Sequence, residues 1–132
     1  MKTPTIDGLM RRDPVTITPF ETLAAAQSQM QRADVRQLPV VEKGVLIGML
    51  SDRDLRAHTG YLERTKVDAA MSEHPITVSP NDSAARAARL LLDRKINAVP
   101  VVEDGRLVGI ISRSDLLRLL VELVEAHEGK GS

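Results

Sequence analysis

The run Gly48-Met49-Leu50-Ser51-Asp52-Arg53-Asp54-Leu55 recurs sixty-one residues later as Gly109-Ile110-Ile111-Ser112-Arg113-Ser114-Asp115-Leu116. In both copies a short apolar stretch, the mark of a buried strand, runs straight into Ser-x-x-Asp. A hydroxyl followed three residues on by an acid is the pattern of a capping box, in which serine and acid each satisfy an exposed amide of a new helix. The chain therefore carries the same strand-to-helix junction twice, and everything else can be placed relative to it.

Working outward, residues 6–57 align with residues 67–118 without a gap, at a constant offset of 61, with 17 identities in 52 positions. Self-similarity at fixed spacing means that equivalent positions hold equivalent places in space. The shared landmarks include Met10 and Met71, Pro14 and Pro75, Thr16 and Thr77, Pro39-Val40-Val41-Glu42 and Pro100-Val101-Val102-Glu103, and Gly44 and Gly105.

Each copy reads in the order β, α, β, β, α. Pro14 to Ile17 and Pro75 to Val78 predict an extended lead-in. A helix follows from about residue 23 or 84, where Ala84, Ala87, Ala88 and Leu91 fall at helical spacing. Thr22 and Ser83 are the expected N-caps, in preference to earlier starts at Pro19 and Pro80. Leu38 to Val41 and Val45 to Leu50, with Val99 to Val102 and Leu107 to Ile111, predict two hairpins whose turns carry Gly44 and Gly105. Helices then open at Ser51 and Ser112. The last one continues through Leu116, Leu120 and Leu123, with Leu117 and Val124 alongside, as a wide apolar stripe that packs on its own module or meets another chain.

This gives a mixed α/β (α+β) fold of two tandem βαββα units, residues 1–62 with the N-terminal segment and residues 63–132 with the long final helix. At 132 residues, the two halves must share a core and neither should be stable alone.

Composition narrows the function. Eighteen Lys and Arg balance eighteen Asp and Glu, so no global field draws the chain to nucleic acid or acidic lipid. Phe20 and Tyr61 are the only aromatic residues, too few to stack single-stranded bases. The absence of cysteine removes disulfide frameworks and thiol nucleophiles and suits the cytoplasm. No apolar run reaches the roughly 18 residues of a membrane span. His58, His74 and His127 lack metal-ligand spacing, no phosphate-loop motif surrounds Gly44 or Gly105, and no nucleophile stands beside a base. The expectation is a binding module and not an enzyme, with no metal and no obligatory cofactor.

The doubled Pro-Val-Val strand, hairpin glycine and Gly-to-Asp run resemble the cystathionine-β-synthase (CBS) domain pair, or Bateman module, over about nine tenths of the chain. The resemblance implies units related by a pseudo-twofold axis, with sheets packed together and helices outside. It also implies clefts between the units that take adenosine-containing ligands such as AMP, ADP, ATP or S-adenosylmethionine, and assembly into a disc-like homodimer.

Carried over residue by residue, it places Asp54 and Asp115 on the ribose hydroxyls, where an ionised carboxylate accepts at charge-assisted strength. Ser51 and Ser112 are the candidates for phosphate or ribose. Thr16 and Leu38, with Thr77 and Val99, are the candidates for adenine, Val15 and Ile76 lying beside them. Arg53 and Arg113 are the cationic candidates for phosphate, with Arg56 and Arg118 close by. Because Asp52 stands where the second copy has Arg113, the second motif is expected to take ATP or ADP better than the first.

The function this implies is a sensor that reports nucleotide occupancy to a separate client protein. The alternative is a constitutive protein-interaction scaffold, since capping alone explains Ser-x-x-Asp.

Overall fold

The two repeats build their first long helices in the same way. Thr22 accepts the Ala25 amide at 3.1 Å at the start of α1 (Leu23–Ala33), and Ser83 accepts the Arg86 amide at 3.1 Å at the start of α4 (Ala84–Arg94). Both helices end on a residue in the left-handed conformation, Asp34 at φ 54° and Lys95 at φ 55°. The computed structural model describes residues 4–131, and helices α1 and α4 belong to two separate compact units.

The remaining elements are β1 (Arg11–Arg12), β2 (Gln37–Glu42), β3 (Val45–Ser51), α2 (Asp52–Arg56), α3 (Val67–Ala70), β4 (Ser72–Glu73), β5 (Ala98–Glu103), β6 (Arg106–Ser112) and α5 (Arg113–Gly131). Strands β2 and β3 pair antiparallel, as do β3 and β4, while β6 pairs with β5 and with β1. The hairpin turns carry positive φ at both central residues, Lys43 and Gly44 in one copy and Asp104 and Gly105 in the other. That twist is the one a two-residue turn between antiparallel strands requires.

The lead-ins differ from expectation. Only Ile17 and Val78 make ladder contacts there, as isolated parallel bridges to Val40 and Val101. The first strand of each copy lies earlier, at Arg11–Arg12 and Ser72–Glu73. Asp13 and His74, at φ 50° and 51°, break the extension, and Pro14 and Pro75 bring no amide to a ladder.

The compact units are also not the linear halves 1–62 and 63–132. One unit holds Asp13–Ile76 with the hairpin tip Asp104–Leu107, and the other holds the N-terminal segment through Arg12, Thr77–Glu103 and the chain from Val108 onward. Burial is the physical reason. The first core gathers Ile17, Leu23, Met30, Leu38, Val40, Leu50 and Leu55 and is completed by Val67, which opens the second repeat. The second core gathers Val78, Ala87, Leu91, Val99, Val101 and Ile111 and is completed by Ile6 and Met10, which open the first. Each unit thus receives the lead-in of the other repeat.

The repeated glycines admit these lead-ins. A Cβ on Gly48 would stand 2.6 Å from Met71 Sδ and 2.9 Å from the Ser72 carbonyl oxygen, and one on Gly109 would stand 2.7 Å from Met10 Sδ and 2.9 Å from the Arg11 carbonyl oxygen. Met10 with Gly109 and Met71 with Gly48 are therefore one contact made twice.

Candidate ligand-binding site

Both Ser-x-x-Asp motifs form the expected cap. Asp54 Oδ2 accepts the Ser51 amide at 2.8 Å and the Ser51 hydroxyl at 3.0 Å, while the Asp54 amide donates to Ser51 Oγ at 3.3 Å. Asp115 Oδ2 accepts the Ser112 amide and hydroxyl at 2.8 and 3.0 Å, with the return bond at 3.4 Å. In each motif one carboxylate oxygen and the serine proton are already engaged, so the serines position the aspartates and have no hydroxyl proton left for a phosphate.

The second carboxylate oxygen differs between the copies. Asp54 Oδ1 has no hydrogen-bond partner among the described residues, whereas Asp115 Oδ1 accepts from Arg118 Nη1 at 3.0 Å and Asp115 is only 7% exposed. The position of Arg118 in the first copy is Ala57, which leaves that carboxylate unobstructed.

The strands bring the other candidates alongside. The Ile17 amide donates to the Pro39 carbonyl at 3.1 Å and the Val41 amide to the Ile17 carbonyl at 2.9 Å, which sets Thr16 beside Leu38. Leu38 faces Leu50 in the β2–β3 register, and Gln37 faces Ser51. Thr16, Leu38, Ser51 and Asp54 therefore share one end of the hairpin. The bonds from Val78 to Pro100 at 3.1 Å and from Val102 to Val78 at 2.9 Å repeat the arrangement for Thr77 and Val99.

Leu38 and Val99 are fully buried in the two cores, so neither residue presents a surface of its own to a ligand. Thr16 is exposed and Thr77 half-buried.

The arginines divide. Arg53 is exposed beside Asp54. Arg113, expected on phosphate, instead donates from Nε to the Ile96 carbonyl at 3.0 Å and from Nη2 to the Leu91 carbonyl at 3.2 Å, capping the end of α4. Helix-end carbonyls carry partial negative charge that attracts a guanidinium. Asp52, its counterpart, pairs with Arg56 at 3.2 Å. The two groups on which the expected preference of the second motif for ATP rested are thus directed elsewhere.

One residue that the pattern did not single out is Gln37. Its Oε1 is buried without a partner, and Gln37 lies opposite Ser51. Its counterpart is Ala98, so the repeat comparison was the signal that could have found it.

Among the described residues no group of three or more His, Asp or Glu is arranged to hold a metal, and no helix is long and apolar enough to cross a membrane.

The family model described as the CBS domain matches residues 6–59 and again residues 67–122. The chain belongs to the CBS domain family. The CBS domain-containing protein YhcV of Bacillus subtilis is 36% identical over 114 residues, 84% of this chain and 81% of that protein. Inosine-5'-monophosphate dehydrogenase of Staphylococcus aureus is 32% identical over 111 residues, but the match spans only 22% of that enzyme. Among solved structures, CBSX2 in complex with AMP superposes with a TM-score of 0.84 at 29% identity, covering 91% of this chain and 98% of that one. The same protein, from Arabidopsis thaliana, superposes in another crystal structure with a TM-score of 0.87. The CBS landmarks of both repeats fall within the matched ranges, including both capping boxes.

Proposed function

We propose that this CBS pair is a regulatory module that binds an adenosine-containing ligand, an AMP-, ADP- or ATP-like nucleotide, at its Ser-x-x-Asp motifs. The observation that carries the reading is Asp54: its Oδ2 is fixed by the cap while its Oδ1 stays open, ready to accept from ribose hydroxyls. A carboxylate held rigid by its own helix start loses little freedom on binding. The complex of the similar CBSX2 with AMP supports the same ligand class.

In this reading Asp54 takes the ribose and Thr16, with Leu38 packed behind it, lines the adenine, while Arg53 meets phosphate and Ser51 orients Asp54. Thr77, Val99, Ser112 and Asp115 take the same parts in the second motif, where Arg118 must first leave Asp115 Oδ1. Arg113 contributes by anchoring α4 and does not touch the ligand. The first motif is therefore the readier ribose acceptor. Occupancy shifts the population of conformations that a client protein reads, and the module self-associates as a homodimer.

Melting the protein with AMP, ADP, ATP, NADH and S-adenosylmethionine tests the reading, because a ligand of the native state raises the midpoint by mass action. A rise with at least one adenine nucleotide is expected. Unchanged midpoints throughout would favour a constitutive scaffold, which the uncovered apolar face of α5 also supports.

A further inference from the structure

The two capping carboxylates differ in one polar contact. The bond from Arg118 Nη1 to Asp115 Oδ1, at 3.0 Å, has no counterpart among the described residues of the first repeat, where Ala57 stands at the same position. With that contact Asp115 is buried, whereas Asp54 is half-buried. The arginine itself stays outside, its side chain 66% exposed, and an exposed side chain is free to change rotamer.

A second acid stands within its reach. Glu122 lies four residues further along α5, the spacing at which side chains on one helix face meet, and Ser114, Leu117, Arg118, Val121 and Glu122 border one surface. Glu122 is exposed and makes no ion pair among the described residues. Its counterpart in the first repeat is Tyr61. The arginine and its spare acid thus occur together in the second repeat, and both are missing from the first.

We propose that Arg118 sets the affinity of the second motif by acting as a latch: it holds Asp115 while the motif is empty and swings to Glu122 when ribose hydroxyls take Asp115 Oδ1. The proposal rests on the ribose-binding reading above and names the residue that regulates one of its two motifs. In the closed position guanidinium and ribose compete for a single carboxylate oxygen. A guanidinium released into water alone would forfeit the pair outright. Glu122 returns part of it, at the strength usual for neighbours one helical turn apart. The exchange also carries occupancy outward, because filling the motif places a partner on a free carboxylate of the exposed surface of α5.

Adenosine is the probe that isolates the effect, since it has the ribose hydroxyls and no phosphate for the freed guanidinium to follow. Its binding to the full chain is read by amide NMR titration, Ser51 and Asp54 reporting the first motif and Ser112 and Asp115 the second. Arg118→Ala installs the residue that the first repeat already holds, and it raises affinity at the second motif about threefold or more while the first stays within about twofold. A merely structural loss would not tighten binding at one motif alone. Glu122→Lys, at an exposed position, removes the spare acid and lowers affinity at the second motif about twofold or more, an effect that vanishes in the Arg118→Ala protein. Adenosine bound at neither motif near about 10 mM overturns the ribose reading and the proposal with it. A second motif that binds nothing, that ignores Arg118→Ala or that ignores Glu122→Lys overturns the latch and leaves the ribose reading of Asp54 standing.

Discussion

Asp54 and Asp115 hold the same cap but not the same second contact: Asp115 Oδ1 is bound by Arg118 at 3.0 Å, and Asp54 Oδ1 has no such partner among the described residues. A repeat that preserves a structural bond while varying the free valence beside it separates two tasks of one residue. The bond to the serine amide builds the helix start, and the remaining oxygen is held by Arg118 in one copy and is without a hydrogen-bond partner among the described residues in the other.

Removing the carboxylate measures the first task. Asp54→Ala should lower stability by about 1 kcal/mol, the ordinary worth of a helix cap. Asp115→Ala should cost more, about 2 kcal/mol, because Asp115 is buried and its removal also releases Arg118. Urea denaturation monitored by circular dichroism compares the two, and equal losses would deny the difference in burial any weight.

The close approach at the glycines predicts a larger effect. Gly48→Ala and Gly109→Ala drive a methyl into a methionine sulfur and a backbone oxygen less than 3.0 Å away. The methionine can move but the backbone cannot, so each should destabilise by about 1–3 kcal/mol, the usual range for overpacking. Thermal melts check this, and midpoints near that of wild type would show that the lead-ins are held loosely.

Ile6 is fully buried in the core of the second repeat although it opens the first. Ile6→Ala should therefore cost about 2–5 kcal/mol. Hydrogen exchange should show the loss on β5 and β6. Confinement of the effect to β2 and β3 would contradict the unit boundaries described above.

Arg113→Ala separates the two roles open to that arginine. It should shorten protection at the end of α4 and cost about 1 kcal/mol, from the lost bonds to Leu91 and Ile96. AMP or ATP affinity should stay within about twofold of wild type. A tenfold loss of ATP affinity with α4 unchanged would return Arg113 to the phosphate.

What could be read in advance was what is local. The capping boxes, the N-caps at Thr22 and Ser83 and the glycine turns depend on residues within three positions of one another, and all formed as the spacing implies. The exchange of lead-ins was not legible. Ile6 and Val67 are interchangeable as apolar residues, and only packing decides which core receives each. The contacts of Arg113 were not legible for a related reason: its reach extends to carbonyls 17 and 22 residues earlier in the chain, and a helix end competes for a guanidinium as well as a phosphate does. Gln37 lay hidden because nothing in a strand pattern distinguishes a buried amide from a solvated one.

The most direct test is calorimetric titration of AMP into the wild type and into Asp54→Asn. Asparagine keeps an oxygen for the Ser51 amide but lacks the charge and the second acceptor that ribose hydroxyls need. The account predicts measurable heat with the wild type and at least about tenfold weaker binding to Asp54→Asn at an unchanged melting midpoint. Silence from the wild type at about 1 mM AMP, or equal affinity in the two proteins, would contradict it.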